Sequence, residues 1–257
     1  MLTDSHCHLD RLDLDALGGN IDAVMETARA HGVGQMLCVC INLENYPDVL
    51  AFAHQYEHVH ASVGVHPNET EGEEPTLDQL VSLANDERVV AIGETGLDYY
   101  YNKGDMSWQQ ERFRVHINAA RASRLPLIIH TRDAWEDTYH IMEKESVDQI
   151  GGVMHCFTGN WEQAKRALDL GFYISFSGIV TFKNAEDLQE VARKVPDDRY
   201  IIETDSPYLT PVPYRGKPNQ PAFVRYVGEC LASLRNLSLE SLAEQTNNNY
   251  NNIFNKI

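Results

Sequence analysis

The sequence predicts an α/β protein with the (β/α)8 TIM-barrel fold, and three observations support this. Apolar runs rich in strand-forming residues recur eight times along the 257 residues. Amphipathic segments with helical spacing lie between successive runs, so strand and helix alternate. Runs such as Met36–Ile41 are apolar on both faces, as expected of parallel strands covered by helices on one side and packed side chains on the other. We therefore expect a single domain over residues 1–257, a usual length for such barrels.

The predicted elements follow in chain order. The strands are Leu2–Thr3, Val33–Ile41, Val59–Val65, Val89–Gly93, Leu127–Ile129, Gly152–His155, Phe172–Ser177 and Tyr200–Glu203. The helices between them are Asn20–His31, Thr76–Ala84, Ser107–Arg124, Asp133–Glu145, Trp161–Leu170 and Asn184–Val195. No GxGxxG or GxxxxGK[ST] motif follows the first strand, which argues against an open doubly wound nucleotide-binding sheet.

A loop and a helix are predicted after the eighth strand. Proline and glycine cluster in Thr210–Pro221, which indicates an extended loop that is placed to border a site. The asparagine-rich tail from Thr246 keeps Tyr250, Ile253 and Phe254 at helical spacing. This spacing favours a docked terminal helix over a disordered tail.

Charge and composition limit the partners that the protein can have. The 38 acidic and 21 basic residues give a formal net charge of -17, which argues against wrapping of duplex DNA, so a nucleic-acid substrate has to be held locally. The five cysteines are odd in number and scattered, so we expect reduced, mostly buried thiols. No apolar stretch approaches the roughly 20 residues that span a bilayer. We expect a cytoplasmic monomer that does not bind a membrane.

Side chains suited to metal binding follow five of the predicted strands. In barrels of this class the working residues lie at the C-terminal ends of the strands. The candidates are His6, His8, Glu94, His130, His155 and Asp205. Imidazole and carboxylate groups together suit zinc-like ions, and six ligands exceed the four of one tetrahedral site. We therefore expect two divalent ions, about 3.5–4 Å apart, which activate a water molecule for hydrolysis.

Several of these candidate ligands also have a simpler interpretation that involves no metal. His6 and His8 lie two apart on a strand, so both face the same side while Cys7 points away, although an HxH pattern alone is weak. Glu94 lies between glycines that allow close backbone approach, and its alternative is a solvated turn. Asp205 follows an apolar strand, and its alternative is a helix N-cap, which Pro207 and the irregular loop disfavour.

The motifs taken together resemble the TatD family of metal-dependent deoxyribonucleases, which are amidohydrolase-like TIM barrels. They are the His6/His8 pair, Gly93–Asp98, Pro126–Arg132, His155–Gly159, Glu203–Pro207 and Arg215–Asn219. The resemblance runs end to end and is specific in the joint order of the motifs. It implies one metal held by His6, His8, Glu94 and Asp205, and a second held by Glu94, His130 and His155. Asp205 and Glu94 are then the catalytic pair, with Asp205 orienting or deprotonating the attacking water.

The resemblance also implies a substrate and the residues that face it. These are His66, Arg132, Phe157, Arg215, Lys217 and Asn219, which supply phosphate contacts and a base-stacking ring. The implied activity is 3′–5′ exonucleolytic hydrolysis of single-stranded DNA with two zinc, manganese or magnesium ions per subunit. Two positions depart from the family pattern, because Asn68 replaces a second histidine and Asn252 replaces a basic residue. Neither position is a predicted metal ligand.

Other interpretations stay open at this point. The same metals would serve an amide or ester hydrolase or a deacylase of aminoacyl-tRNA. A third hypothesis is a catalytically silent metal-binding protein that acts as an interaction module. The intact set of predicted metal ligands argues against this third hypothesis. Tyr99–Tyr101 either stacks on bases or covers the barrel opening. The remaining histidines are expected to be structural or solvated, with His54 and His58 on one helix face; the others are His31, His60, His116 and His140.

Overall fold

The structure is a computed structural model that describes residues 1–254. Eight strands lie in one sheet in chain order from β1 to β8. Their bounds are β1 Leu2–Cys7, β2 Val33–Cys38, β3 Val59–Val63, β4 Val89–Asp98, β5 Leu127–Arg132, β6 Gly152–Met154, β7 Phe172–Phe176 and β8 Tyr200–Ile202. Helices alternate with the strands, which confirms the predicted (β/α)8 fold.

Six of the helices that the structure describes match the predicted amphipathic segments to within a few residues. The described helices are α1 Ile21–Ala30, α2 Tyr46–Gln55, α3 Leu77–Leu83, α4 Ser107–Ser123, α5 Trp135–Lys144, α6 Trp161–Asp169, α7 Glu186–Lys194, α8 Val224–Arg235 and α9 Leu239–Ile253. Capping residues mark the first turn of two of these helices. The Asn20 side chain accepts a hydrogen bond from Ala23 N at the start of α1, and Thr76 and Gln79 form a capping box at the start of α3. Because α2 ends at Gln55, the prediction that His54 and His58 share a helix face is wrong.

The chain falls into two compact units. The first unit comprises residues 1–38, 156–165 and 174–252, and the second comprises residues 39–155, 166–173 and 253–254. The single-domain organisation stays a prediction. In the first unit the segment after β8 pairs with β1, since Asp205 N donates to His6 O at 2.9 Å and His8 N donates to Ser206 O at 2.8 Å. This pairing brings the end of β8 to the HxH motif.

The second unit holds β3 to β6, and β4 is its longest strand. The prediction ended this strand at Gly93, but β4 continues to Asp98 and pairs Gly96 with His130 and Asp98 with Arg132 on β5. Glu94 therefore lies inside β4 and not at its end, which corrects the expected strand-end position. The glycines explain the extension, because a Cβ at Gly96 would overlap the His130 carbonyl oxygen.

The predicted C-terminal features are present in the first unit. Residues 210–220 contain no helix or strand, as expected for the Pro/Gly-rich segment. In α9, Tyr250 is wholly buried and Asn249 Nδ2 donates to Tyr200 O at 2.8 Å, so the terminal helix is docked. The last three residues of the tail lie outside the described residues.

The structure shows the state of the cysteines and the hydropathy of the helices where it describes the chain. All five cysteines are free, and three of them are buried. Within residues 1–254 no helix combines the length and hydropathy that crossing a bilayer demands.

Candidate metal centres

The first unit brings together His6, His8 and Asp205, which we call the first cluster. Nε2 of His6 lies 3.3 Å from Nε2 of His8, and Asp205 Oδ1 lies 3.4 Å from His8 Nε2 and 3.7 Å from His6 Nε2. His6 and His8 are almost fully buried, and the Asp205 side chain is 13% exposed. As predicted from the alternation of side chains, Cys7 points elsewhere and donates to Leu37 O at 3.4 Å.

Asp205 is held in an uncommon backbone conformation. Its φ is 56°, in the left-handed region that aspartate tolerates better than most residues do. No helix begins at Asp205 among the described residues, which removes the N-cap interpretation. Just before it, the amide and hydroxyl of Thr204 donate to the Asp4 carboxylate at 2.8 and 2.6 Å. Burial raises the pKa of Asp4 to about 8, and these hydrogen bonds tie the end of β8 to β1.

The second unit brings together three histidines around Glu94, and we call this group the second cluster. Oε1 of Glu94 lies 3.2 Å from His130 Nδ1, 3.2 Å from His155 Nε2 and 3.3 Å from His66 Nε2. Glu94 is only 2% exposed, so the interpretation as a solvated turn is wrong. His66, which the resemblance placed among the substrate-facing residues, lies with the predicted ligands in the structure.

Sequence reasoning missed Asp98 as a member of this site. Asp98 Oδ2 lies 3.0 Å from His130 Nε2 and accepts a hydrogen bond from Asn68 Nδ2 at 2.8 Å. Since a carboxylate only accepts, His130 donates through Nε2 and leaves Nδ1 facing Glu94. A signal was present in the sequence, because Glu94, Gly96 and Asp98 alternate along one face of β4.

The electrostatics of the second cluster follow from burial and from these hydrogen bonds. Burial lowers the pKa of His66, which favours the neutral imidazole that binds metals. Burial also opposes protonation of His130, but its hydrogen bonds to Asp98 and Glu94 outweigh this and raise its pKa. Burial would raise the pKa of Asp98, yet the hydrogen bonds from His130 and Asn68 hold it well below its usual range.

The donor sets fit divalent metal ions. In the first cluster one ligand atom from each of His6, His8 and Asp205 lies within 4.8 Å of the others, and the same holds for His66, Glu94 and His130 in the second. Imidazole nitrogens with a carboxylate oxygen are the ligands of zinc in catalytic sites, and they also suit manganese or iron. The bridging position that the resemblance gives to Glu94 stays a prediction.

The remaining predicted substrate residues differ in exposure. Phe157 is 1% exposed and Asn219 is fully buried, where Asn219 Nδ2 donates to Thr204 O at 3.0 Å and to Tyr208 O. Their side chains therefore brace the structure and offer no open surface. Arg215 and Lys217 are exposed in the loop after β8, and the Arg215 guanidinium lies 4.1 Å from the Phe182 ring centroid.

Two of the histidines that were predicted to be structural or solvated have hydrogen-bond or ion-pair partners. His54 pairs with Asp86 at 3.0 Å on the surface. His116 Nε2 accepts a hydrogen bond from Val65 N at 2.9 Å, and its Nδ1 donates to Arg112 O at 2.8 Å. Burial lowers the pKa of His116 to about 4, so it is neutral and ties α4 to the end of β3.

Comparison with known proteins identifies the family. A family model described as "TatD related DNase" matches residues 3–255. The uncharacterized metal-dependent hydrolase YcfH of Escherichia coli K12 is 49% identical over 253 residues, which cover 98% of this chain and 95% of that protein. The Salmonella typhimurium protein named 3′-5′ ssDNA/RNA exonuclease TatD is 32% identical over 239 residues, 91% of this chain and 92% of the other.

Solved structures agree with these sequence relatives. The crystal structure of YJJV, a TatD homologue from Escherichia coli K12, superposes with a TM-score of 0.90 at 30% identity and covers 99% of this chain and 98% of that one. The shared fold, the sequence identity and the two clusters of histidines and carboxylates all agree with membership of this family. The chain therefore belongs to the TatD family and is a metal-dependent hydrolase.

Proposed function

We propose that the protein is a deoxyribonuclease that removes nucleotides one at a time from the 3′ end of single-stranded DNA. The observation that carries this proposal is the pair of buried clusters, each with imidazole and carboxylate donors. Metal ions bound there would activate water at neutral pH and stabilise the charge that develops on a phosphoryl oxygen. The two ions, whether zinc, manganese or magnesium, are part of the proposal.

Within this proposal the ligand residues also have chemical roles. Asp205 would orient the attacking water and accept its proton, since its carboxylate lies 3.4 Å from His8 Nε2 and its side chain is 13% exposed. Glu94 would hold a metal ion through its carboxylate, which three imidazoles surround. Asp98 holds the His130 ring in the orientation that leaves Nδ1 free to ligate.

The choice of a nucleic-acid substrate rests on a relative and on charge. The Salmonella relative is named as an exonuclease on single-stranded DNA and RNA. A net charge of -17 provides no broad basic surface, so binding would depend on the metals and on a few cations such as Arg132, Arg215 and Lys217. A strand end needs fewer backbone contacts than an extended duplex does, which favours exonuclease activity.

A time course with a 5′-labelled oligonucleotide tests the proposal. With Mg²⁺, Mn²⁺ or Zn²⁺ we expect a ladder that shortens by single nucleotides, and faster shortening of a single strand than of a blunt duplex. Glu94→Ala, purified in the same way, excludes a contaminating nuclease. Internal cuts without stepwise shortening would contradict the exonuclease assignment. If wild type cleaves no oligonucleotide with any metal, the nuclease proposal is wrong, and assays on aminoacyl-tRNA, esters and amides test the alternative hydrolase functions.

A further inference from the structure

Two exposed tyrosines and a half-buried arginine form a small surface beside the second cluster, and the tyrosines have no assigned role so far. It consists of Tyr100, Tyr101 and Arg132, and we call it the tyrosine–arginine surface. Tyr100 is 49% exposed and Tyr101 is 66% exposed, although large aromatic rings are usually buried. The two rings meet edge to face, with centroids 4.9 Å apart. The two side chains therefore leave much of their ring surface open to solvent, where a ligand can reach it.

Arg132 lies against both rings. Its guanidinium carbon is 3.8 Å from the Tyr100 centroid and 5.0 Å from the Tyr101 centroid. Within residues 1–254 the guanidinium makes no hydrogen bond and no ion pair, so its five N–H donors are uncommitted. Stacking on the rings fixes the plane of the guanidinium and leaves its edge for an anion, and phosphate suits that planar fork best.

Hydrogen bonds join this surface to the metal ligands of the second unit. Asp98 Oδ1 accepts from the amides of Tyr100 at 2.9 Å and Tyr101 at 3.3 Å, while Oδ2 faces His130 Nε2 at 3.0 Å. Arg132 follows His130 by two residues on β5, so both side chains lie on one face of the strand. One carboxylate thus sets the positions of a predicted metal ligand and of both tyrosines.

We propose that the tyrosine–arginine surface binds one nucleotide of the substrate next to the bond that is cut. Arg132, which the family resemblance already places toward the substrate, pairs with its phosphate, and the new element is that the exposed Tyr101 ring stacks on its unpaired base. A phosphate beside an aromatic face is the chemistry of a nucleotide whose base is not paired, and it distinguishes a single strand from a duplex. This inference rests on the proposed nuclease function and adds the group that selects single strands.

Equilibrium binding tests the surface without relying on hydrolysis. The metal-loaded protein is titrated into two fluorescein-labelled single strands with cleavage-resistant phosphorothioate linkages, one with ordinary bases and one with abasic residues at its three 3′-terminal positions. We expect the strand with bases to bind about tenfold more tightly, which corresponds to ~1.4 kcal/mol, within the range of one base–aromatic stack.

Three variants separate stacking from charge. Tyr101→Ala should remove the tenfold preference by weakening only the strand with bases, and Tyr101→Phe, which keeps the ring, should retain it. Arg132→Ala should weaken both strands by a similar factor, because both carry the phosphate. Far-ultraviolet circular dichroism of each variant should match wild type, since Tyr101 is exposed and Arg132 makes no hydrogen bond through its side chain among the described residues.

The outcomes separate this inference from the proposed function. If wild type binds both strands equally, or if Tyr101→Ala weakens both equally, the stacking role is wrong whether or not the protein cleaves DNA. If wild type prefers the strand with bases but hydrolyses no oligonucleotide with any metal, the surface binds nucleotides and the nuclease proposal fails. Loss of the preference in Tyr101→Phe would also contradict stacking, because the ring remains.

Discussion

Asp98 shows how a single carboxylate can organise a site from outside the predicted ligand set. It accepts hydrogen bonds from Asn68 and from the amides of Tyr100 and Tyr101, and it contacts the Nε2 of His130. A ligand histidine held in this way keeps one tautomer and one ring orientation. Asn68, where the resemblance implies a histidine in many relatives, donates to Asp98 through its side-chain amide at 2.8 Å.

Asn68→Ala should weaken metal binding at the second cluster. Loss of the hydrogen bond to Asp98 loosens the carboxylate that holds His130. Direct partners of a ligand are worth about 10–100-fold in metal affinity, and Asn68 is one step further out, so we expect a loss of about tenfold. Asn68→His is the matched control, because an imidazole N–H again donates to Asp98. Zinc dissociation constants measured by competition with a chromophoric chelator check this prediction. Equal affinities for wild type and Asn68→Ala would show that Asn68 does not support the ligand.

Asp205→Asn should remain folded but lose activity. The side chain is 13% exposed at the end of β8 and contributes little to the packed core, while an amide cannot accept the proton of water. We expect a loss of at least about two orders of magnitude in kcat, the usual scale of general-base catalysis. Steady-state kinetics and circular dichroism measure both effects. Near-normal turnover in this variant would exclude Asp205 from the mechanism.

At the scale of elements, β4 and β5 carry the second cluster because their backbones approach closely. Gly96 has φ 134° and pairs with His130, and there is no space for a Cβ between it and the His130 carbonyl. The same pairing places Asp98 beside Arg132. The spacing of these two strands therefore supports both the metal ligands and the tyrosine–arginine surface.

Gly96→Ala should destabilise the protein more than Gly104→Ala does. Both glycines have positive φ, but a Cβ at Gly104 meets nothing within 4 Å, so that variant reports the backbone strain alone. We expect Gly96→Ala to lower the free energy of unfolding by about 2 kcal/mol more, on the scale of overpacking in a well-packed region. Urea denaturation followed by fluorescence measures the difference. Equal losses in the two variants would contradict a close approach at Gly96.

For the whole molecule, metal content is the most direct test of the two clusters. Reconstituted with excess Zn²⁺ or Mn²⁺ and then desalted, wild type should carry two ions per chain, because each of the two clusters offers three imidazole or carboxylate ligand atoms. His6→Ala should carry about one ion, while His54→Ala, whose imidazole pairs with Asp86 on the surface, should carry two. Elemental analysis against protein concentration gives the ratio. A wild-type ratio that never exceeds one would rule out the two-metal site.

The salt dependence of substrate binding tests how many phosphates of the strand the protein neutralises. With Arg132, Arg215 and Lys217 as the main cations, about three phosphates of a single strand would be neutralised. The logarithm of the binding constant should then fall with the logarithm of salt concentration with a slope of about -2, from about -0.7 per phosphate. Arg132→Ala should make the slope shallower by about 0.7. A slope several times steeper in wild type would mean that an extended basic surface binds the strand.

The sequence by itself determined the (β/α)8 fold, the positions of six helices and most of the imidazole and carboxylate side chains that form the two clusters. Hydrophobic periodicity and capping residues act within a few positions, so they can be read along the chain without knowing its partners. HxH spacing has the same local character, which is why His6 and His8 face together as expected.

Only the tertiary structure decided which distant side chains meet. Strand register and the close approach at Gly96 extended β4 and brought Asp98 to His130, while packing placed His66 beside Glu94. Packing also buried Phe157 and Asn219, which the family motif alone placed toward substrate. Contacts between residues far apart in the chain depend on the register between strands and on the volumes of the side chains that pack together. Neither quantity is encoded in a short window of sequence.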